Sequence, residues 1–267
     1  MRNLRELMNL EGRTALVTGG AGHIGGAILD ALAELGAATA VADRIQAKCD
    51  ARAVDLETAF GSASRGFAVD LLDEGSTRGL VQRALEWRGG IDIVIHCAAF
   101  VGTTDIPGWG VSFEQQSVAA WDAALRVNLT AAFILAQEAA PALKTSRHGS
   151  IILVSSIYGC VGPDLSLYEG TAMSNPVGYG VSKGGLLQLN RYLATQLAPE
   201  VRVNAITPGG VWRGQPQVFC ERYQARTPLG RMAAEEDFKG AAAYLASDLS
   251  AYVTGHNLVV DGGWTVW

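Results

Sequence analysis

Short apolar runs alternate along the chain with longer segments in which apolar residues recur every three or four positions. We place the short runs at residues 14–18, 38–42, 66–70, 91–96, 150–155, 201–206 and 257–260. Strands that are apolar at successive positions are buried on both faces, as in a parallel sheet covered by helices. The alternation therefore predicts an α/β fold: a single doubly wound parallel sheet of Rossmann type with helices on both faces.

Two of the longer segments have clear helical spacing and recognisable ends. Over residues 24–35 the apolar positions lie three and four apart and stop before Gly36, a residue suited to ending a helix. Residues 186–197 repeat this spacing and stop before Pro199. No tract rich in Pro, Ser or Gly and no internal repeat interrupts the alternation. We therefore expect one domain over residues 1–267.

Composition narrows the class of protein. Of the 267 residues, 49% are apolar and 18% are charged, which is incompatible with a disordered chain. The net charge is −5 and the basic residues are scattered, so nucleic acid is not an expected partner. No uncharged stretch reaches the length of about 18 residues that spans a bilayer, and the N-terminal segment lacks the apolar region of a secretory signal. We therefore expect no membrane partner and a cytoplasmic location.

Cysteine and histidine positions give no sign of a disulfide framework or a metal site. The cysteines, at 49, 97, 160 and 220, form no C-x-x-C pair, so we expect reduced thiols. The histidines, at 23, 96, 148 and 256, are equally isolated and lack H-E-x-x-H spacing. The sequence therefore predicts no metal.

A glycine-rich turn, TGGAGHIG at residues 18–25, follows the first predicted strand and precedes a helix. Gly19, Gly22 and Gly25 let the backbone turn tightly and let a pyrophosphate approach the helix N-terminus, where His23 and Ile24 lie. This position between a strand and a helix predicts a dinucleotide site.

Asp43 ends the second strand, 24 residues after Gly19, where an acid can hydrogen-bond an adenosine ribose. Its carboxylate would repel a 2′-phosphate, so the sequence favours NAD over NADP. The neighbouring Arg44 either softens this preference or is simply solvated.

Tyr179 and Lys183 stand four residues apart at the start of the second helical segment, so their side chains share one helix face. A phenol is a poor base at neutral pH unless a nearby cation stabilises the phenolate, and Lys183 can supply that cation. Ser156 follows the preceding strand, and Asn128 lies in the helix before that strand. The four side chains can converge at the carboxyl edge of the sheet, where α/β proteins bind ligands.

With these motifs the chain resembles the short-chain dehydrogenase/reductase family over about residues 10–263. The matching features are the turn at 18–25, Asp70-Leu71, Asn128, Ser156, Tyr179 with Lys183, Asn204, Pro208-Gly209, and C-terminal blocks at 227–231, 245–248, 254–255 and 260–263. Their number and order make the resemblance specific.

The resemblance implies a role for each matched residue. Tyr179 is expected to be the general acid/base, and Lys183 to lower the pKa of Tyr179 and hold the nicotinamide ribose. Ser156 is expected to hydrogen-bond the substrate oxygen, and Asn128 to support a water relay to Lys183. The implied cofactor-binding residues are Gly19, Gly22, His23, Ile24, Gly25, Asp43, Asp70, Leu71, Ala98, Tyr179, Lys183, Pro208, Gly209 and Val211. Asp70 and Leu71 would flank the adenine, and residues 208–211 the nicotinamide.

Some positions depart from the compact branch of this family. His23 stands where compact members usually have glycine, and residues 96–99, His-Cys-Ala-Ala, replace Asn-Asn-Ala-Gly. Both features resemble the extended branch, which acts on sugar nucleotides. Arg213 stands where a threonine commonly contacts the nicotinamide carboxamide. The C-terminal blocks and the 88 residues after Tyr179 favour the compact branch, because an extended member needs a larger substrate domain.

We therefore predict an NAD-dependent oxidoreductase that transfers a hydride between the nicotinamide and a secondary alcohol or ketone. One alternative is a nucleotide-sugar epimerase or dehydratase, which keeps its cofactor and shows no net turnover of free NAD. The other is a non-catalytic dinucleotide-binding scaffold. A scaffold would tolerate damage to the catalytic residues, whereas here the set is intact.

The segment between Ser156 and Tyr179 is longer than is usual in the family. Because both of its ends lie in the site, it is suited to act as a lid over the substrate; the alternative is a surface insertion that faces solvent. Its side chains mix polar and apolar groups: Asp164, Tyr168, Glu169, Met173 and Asn175. Polar groups of this kind favour a polyhydroxylated small-molecule substrate, such as a sugar derivative or a polyol.

Arg213 and the C-terminal tail leave alternatives open. Arg213 can pair with a carboxylate or phosphate on the substrate, or it can contact the cofactor pyrophosphate. Trp264 and Trp267 are aromatic residues of the kind enriched at interfaces, and the mean hydropathy of +0.17 is high for a monomer. The family resemblance implies a homotetramer of closed symmetry, while the alternative is a tail folded onto its own core.

Overall fold

The computed structural model describes residues 1–102 and 104–267. Its strands are β1 (Thr14–Thr18), β2 (Ala38–Asp43), β3 (Ser64–Ala68), β4 (Ile93–His96), β5 (Gly149–Val154), β6 (Val201–Pro208) and β7 (Asn257–Val260). They form one sheet in the order β3-β2-β1-β4-β5-β6-β7, and every neighbouring pair is parallel. The predicted doubly wound parallel sheet is confirmed.

The strand bounds lie close to the predicted ones, and sheet pairing accounts for the differences. The first and last strands fall at the predicted residues. β3 begins earlier than predicted, at Ser64, because its pairing with β2 runs from Thr39 opposite Ser64 to Asp43 opposite Ala68. β6 extends to Pro208 because it pairs with β7 up to that residue. Local apolar runs thus identify the strands, while their partners set the ends.

Helices cover both faces of the sheet. They are α1 (Leu4–Met8), α2 (His23–Glu34), α3 (Gln46–Phe60), α4 (Glu74–Arg88), α5 (Val118–Leu125), α6 (Ala131–Ser146), α7 (Val177–Leu197), α8 (Gln217–Ala225) and α9 (Lys239–Ala246). On one face α2, α3 and α9 pack around a core that includes Val17 and Ile95. On the other, α4, α6 and α7 pack around Leu16 and Val94. Neighbouring strand positions therefore point into different cores, which is why the strands are apolar throughout.

The two predicted helices correspond to α2 and α7. α2 ends before Gly36, whose N–H donates to the carbonyl of Ala33 at 2.9 Å. α7 begins at Val177 after Pro176 and ends at Leu197. Its start places Tyr179 and Lys183 in the first two turns, next to the carboxyl edge of the sheet.

A π-helical turn, Arg126–Thr130, joins α5 to α6. The resulting helical run, Val118–Ser146, is long and apolar enough to cross a membrane by length and composition, which the sequence analysis did not expect. In the fold, Leu135 and Leu143 of α6 are buried in the core between the sheet, α4 and α7. We therefore describe this run as a core helix of the α/β domain.

The strand order reverses between β1 and β4, so the segments that follow these strands leave toward opposite faces. In open α/β sheets this reversal creates a crevice beyond the carboxyl ends of the strands, where ligands bind. The glycine-rich turn follows β1 at this edge, and Ser156 follows β5. The fold thus brings both predicted halves of the site to one crevice.

Candidate active site

A cavity of about 920 Å³ opens at this edge of the sheet. Fifteen of the residues predicted from the sequence line it: Gly19, Gly22, His23, Ile24, Gly25, Asp43, Asp70, Leu71, Ala98, Ser156, Tyr179, Lys183, Pro208, Gly209 and Val211. Asn128 does not. The cavity is large enough for a dinucleotide and a small second ligand, since ligand pockets typically measure about 300–1,000 Å³.

The turn between β1 and α2 depends on glycines, because a side chain at Gly19 or Gly25 would force the surrounding backbone to move. Gly19 has a φ of +70°, and a Cβ on it would lie 2.7 Å from the amide nitrogen of Ala98. A Cβ on Gly25 would lie 2.2 Å from the carbonyl oxygen of Gly19. α2 begins after Gly22 without any side-chain cap. The N–H groups of its first turn therefore remain available to an anion in the cavity.

Asp43 and Arg44 lie where the main cavity meets a second one of about 650 Å³. The carboxylate of Asp43 accepts a hydrogen bond from the backbone N–H of Arg44 at 2.7 Å. The second cavity is also lined by Lys48 and by Arg52, whose guanidinium pairs with Asp30 at 2.6 Å. An acid at the end of β2 thus shares this cavity with three cations, of which Lys48 and Arg52 lie on α3.

Lys183 is buried beneath the cavity. Its side chain is 2% exposed, and its Nζ donates to the carbonyl of Val154, the last residue of β5, at 2.7 Å. Burial lowers the pKa of the ammonium to about 8. Nζ lies 5.8 Å from the centroid of the Tyr179 ring, as the predicted shared helix face requires.

The pKa of Tyr179 is raised, because burial of the phenol outweighs a hydrogen bond with Ser156 that acts in the opposite direction. The sequence analysis expected Lys183 to lower this pKa. That role of Lys183 stays a prediction: the ammonium donates to the Val154 carbonyl, and burial of the phenol sets the net direction of the shift. The structure therefore presents Tyr179 as a protonated phenol at neutral pH.

Asn128 lies in the π-helical turn and is fully buried. Its Oδ1 accepts from the backbone N–H of Phe100 at 2.7 Å. Its Nδ2 donates to the Phe100 carbonyl at 3.2 Å and to the Ser182 hydroxyl at 2.9 Å. These bonds tie the segment after β4 to α7 and so hold Lys183 in place. A water relay from Asn128 to Lys183 stays a prediction.

His96 is the first residue of the 96–99 segment, which resembles the extended branch of the family. It is buried, and its Nδ1 lies 3.0 Å from the hydroxyl of Thr18 at the end of β1. Burial lowers the pKa of His96 to about 3, so the ring is neutral. We interpret it as a packing tie between β4 and β1. In the described part of the chain, no group of three or more His, Cys, Asp or Glu residues is arranged to hold a metal ion.

Arg213 is linked to the cofactor half of the site through Glu235, a residue that no sequence signal identified. Arg213 Nε lies 3.4 Å from Glu235 Oε1, and the same oxygen lies 3.3 Å from His23 Nδ1. Because His23 is the first residue of α2, the guanidinium sits near the start of that helix. This contact is non-local and could not be read from spacing.

The segment between Ser156 and Tyr179 reaches the cavity with only some of its polar groups. Tyr168, Met173 and Asn175 line the cavity, whereas Asp164 and Glu169 do not. Asp164 instead forms an ion pair with Arg226 beyond α8. The expectation that the polar groups of this segment bind the substrate is therefore wrong for two of them: Asp164 pairs with Arg226, and Glu169 lies outside the cavity lining.

An aromatic cluster, which the sequence analysis did not foresee as a unit, backs this part of the cavity. Tyr168 packs on Phe219 with ring centroids 5.4 Å apart, and Tyr223 stacks on Trp264 at 5.9 Å. Trp264 is only 4% exposed, so it belongs to the core rather than to an interface. Trp267, by contrast, is exposed. The tail is thus partly folded onto its own core.

Comparison with known proteins agrees with this geometry. A family model described as enoyl-(acyl carrier protein) reductase matches residues 19–265. The cis-4-hydroxycyclohexanecarboxylate dehydrogenase of Sinomonas cyclohexanicum is 34% identical over 259 residues, which is 95% of this chain and 96% of that protein.

Two solved structures extend the comparison. A short-chain type dehydrogenase/reductase from Mycobacterium marinum superposes with a TM-score of 0.84 at 29% identity, covering 99% of both chains. A gluconate 5-dehydrogenase from Burkholderia cenocepacia J2315, in complex with NADP and tartrate, gives 0.87 at 27% identity, covering 99% of this chain and 100% of that one. The chain belongs to the short-chain dehydrogenase/reductase family, in its compact branch, and is an oxidoreductase of this family of nicotinamide dinucleotide-binding enzymes.

Proposed function

We propose that the protein is an NAD-dependent oxidoreductase that transfers a hydride between the nicotinamide and a secondary alcohol or ketone. The observation that carries this proposal is the convergence of Ser156, Tyr179 and Lys183 on the same cavity as the glycine-rich turn. Chemistry is assigned to these three residues, and Asn128, through its bonds to Phe100 and Ser182, positions α7, which carries Tyr179 and Lys183.

Tyr179 is the proposed proton donor and acceptor. Because burial raises its pKa, the phenol keeps its proton at neutral pH and can donate it to the oxygen of a ketone during reduction. In the direction of alcohol oxidation the phenol must first lose that proton. Ser156 lies beside Tyr179 on the cavity wall and can orient the same substrate oxygen.

The other half of the cavity fits a nicotinamide dinucleotide. The uncapped N-terminus of α2 suits a pyrophosphate, and Asp43 suits the hydroxyls of the adenosine ribose. Asp70 and Leu71 line the expected adenine end, and residues 208–211 the nicotinamide end. When bound, the dinucleotide supplies the hydride acceptor or donor.

NAD is the proposed cofactor because the Asp43 carboxylate opposes the 2′-phosphate of NADP. Arg44 and Lys48 in the adjoining cavity act in the other direction, since they can attract a phosphate. One solved relative holds NADP. Comparing kcat/KM for the two dinucleotides tests the proposal directly: NAD should be preferred, and a preference for NADP would contradict the role given to Asp43.

We assign Arg213 to the cofactor rather than to a substrate anion. Its pairing with Glu235, which also contacts His23, holds it beside the start of α2. There it can exchange the half-buried carboxylate of Glu235 for a phosphate of the dinucleotide.

We propose a polar polyhydroxylated substrate, such as a sugar derivative or a polyol. The hydroxyls of Tyr168 and Ser156 and the amide of Asn175 on the cavity wall support this, and one solved relative is a gluconate 5-dehydrogenase. A second candidate is a hydroxylated alicyclic ring. The aromatic wall around Phe219 favours it, and one relative is a cis-4-hydroxycyclohexanecarboxylate dehydrogenase.

A single assay separates these functions from the alternatives. The purified protein is incubated with free NAD and a panel of sugars, nucleotide sugars, polyols, alicyclic alcohols and hydroxy acids; nicotinamide absorbance and the products are followed. Net NADH formation with at least one class supports the oxidoreductase. Conversion of a nucleotide sugar on a retained dinucleotide, without net NADH, would instead establish an epimerase or dehydratase. Binding of NAD with no turnover of any class would establish a scaffold.

A cytoplasmic homotetramer remains our proposal for location and assembly. The exposed Trp267 supports an interface, although the buried Trp264 no longer does. Sedimentation at micromolar concentration should show a species of four chains of 28.1 kDa, and a monomer would contradict the proposal.

A further inference from the structure

We propose that Tyr158, Tyr168 and Asn175 form a second oxygen-binding site, which selects substrates that carry a hydroxyl group in addition to the one that reacts. This inference rests on the proposed function of the same cavity. It assigns a role to the long segment between Ser156 and Tyr179, and it favours a polyhydroxylated substrate or an alicyclic ring that carries a second hydroxyl.

Tyr158 borders the reacting centre. Its backbone N–H donates to the Ser156 hydroxyl at 3.3 Å. Its carbonyl packs against the first turn of α7, where a Cβ on Gly180 would lie 3.2 Å from it. The hydroxyl oxygens of Tyr158 and Tyr168 lie 2.7 Å apart and share a hydrogen bond. Both residues line the cavity. The pair therefore joins the long segment to the end of β5.

Tyr158 and Tyr168 each carry an O–H group, and the hydrogen bond between them occupies only one of the two. Burial raises the pKa of both Tyr158 and Tyr168, so both are protonated at neutral pH. One O–H donates to the other oxygen, whichever residue is the donor. In the described part of the chain, neither hydroxyl has a further hydrogen-bond acceptor. The second O–H and the remaining lone pairs are thus available to a ligand.

Asn175 adds a second donor beside this pair. Its amide lies next to Tyr168, yet Nδ2 is buried and makes no hydrogen bond of good geometry within the described residues. Buried donors without an acceptor are unfavourable, so they are rare unless a water molecule or a ligand accepts from them. Asn175 also lines the cavity, where a substrate oxygen can accept from it.

The surroundings decide which kind of oxygen fits. Phe219 packs on Tyr168, and Trp264 packs edge-on against Tyr158 with centroids 6.1 Å apart. Such an aromatic wall penalises burial of a charge, and the three polar groups are themselves neutral. A hydroxyl, which both donates and accepts, matches an O–H donor beside free lone pairs better than a carboxylate does.

Matched alcohols test the inference. Rates with NAD are measured for cyclohexanol and for the 1,2-, 1,3- and 1,4-cyclohexanediols, and the result is the ratio of kcat/KM for each diol to that for cyclohexanol. The variants are Tyr158→Phe, Tyr168→Phe and Asn175→Leu. Tyr192→Phe, an exposed position on α7, is the control for the same chemical change.

The wild-type protein should prefer at least one diol, and each of the three variants should reduce that ratio by about threefold to tenfold per lost hydrogen bond. Tyr192→Phe should leave the ratio unchanged. The inference is overturned if no diol is preferred, or if the preference survives in all three variants.

A binding measurement keeps this test separate from the proposed function. If no alcohol is oxidised, the proposed function fails. The melting temperature in the presence of NAD is then compared between diols and cyclohexanol. A larger rise with a diol in the wild type, lost in Tyr168→Phe, still supports the second oxygen site, and equal rises overturn it.

Discussion

Replacing Lys183 with methionine should stabilise the protein while it abolishes the chemistry. The side chain is 2% exposed, and burial lowers the pKa of its ammonium from 10.5 to about 8. At about 1.4 kcal/mol per pKa unit, keeping this ammonium charged at pH 7 costs roughly 3 kcal/mol. Methionine removes that cost but leaves the Val154 carbonyl without its donor, which offsets roughly 1–2 kcal/mol. We expect a net gain of about 1–2 kcal/mol, or roughly 2–8 °C in Tm for a domain of this size.

The pH dependence identifies the cause of this gain. Because the pKa of Lys183 is lower in the folded than in the unfolded state, the unfolded chain binds more protons between about pH 8 and pH 10.5. Wild-type stability therefore rises with pH through this window, and the advantage of Lys183→Met should be full below pH 8 and shrink above it. Urea unfolding at pH 7 and pH 9.5 measures this, with the exposed Lys144→Met as the control. A less stable Lys183→Met at pH 7, or a difference independent of pH, would refute the reasoning.

Four further predictions concern the site. Tyr179→Phe should lower turnover by about a hundredfold or more, since the variant lacks the proton donor. Dinucleotide affinity, measured by fluorescence titration, should stay nearly intact. Near-normal turnover would show that Tyr179 takes no part in the chemistry. In the wild type, the rate of alcohol oxidation should increase with pH and the rate of ketone reduction should decrease, because the raised pKa of Tyr179 favours the protonated phenol. Initial rates measured across the pH range check this, and the opposite pH dependence of either rate would contradict it. Asp43→Ser should raise the ratio of kcat/KM for NADP to that for NAD, and an unchanged ratio would show that the carboxylate does not face the ribose. In isothermal titration Arg213→Gln should weaken dinucleotide binding several-fold and Glu235→Gln should strengthen it, whereas a change of the same sign in both would contradict the proposed exchange.

The sheet and the cofactor half of the site could be predicted because their signals are local. A buried strand shows itself as an apolar run, and Gly19, Asp43 and Ser156 each stand just after such a run. Once the strands are parallel, everything that follows a strand reaches the same edge of the sheet. The lining of the cavity by these residues follows from that rule alone.

The substrate half could not be predicted because it depends on contacts between distant parts of the chain. Asp164 looks like a candidate ligand for a polar substrate until Arg226, far along the sequence, is seen to pair with it. Arg222 likewise donates to the Ser166 carbonyl at 3.0 Å and holds the same segment against α8. Trp264 looks like an interface residue until Tyr223 is found stacked on it. In each case an apolar or charged partner far away in sequence decides where the side chain points.

The direction of the Tyr179 pKa shift shows the same limit at the centre of the site. Spacing of four residues correctly puts the Lys183 ammonium beside the phenol, and from charge alone one expects a lowered pKa. Spacing carries no information about burial, however, and burial acts on both groups: it lowers the pKa of Lys183 and raises that of Tyr179. At pH 7 the pair is therefore an ammonium beside a protonated phenol, and burial disfavours the phenolate. A protonated phenol can give its proton to a ketone during reduction, whereas oxidation requires that the phenol first lose that proton.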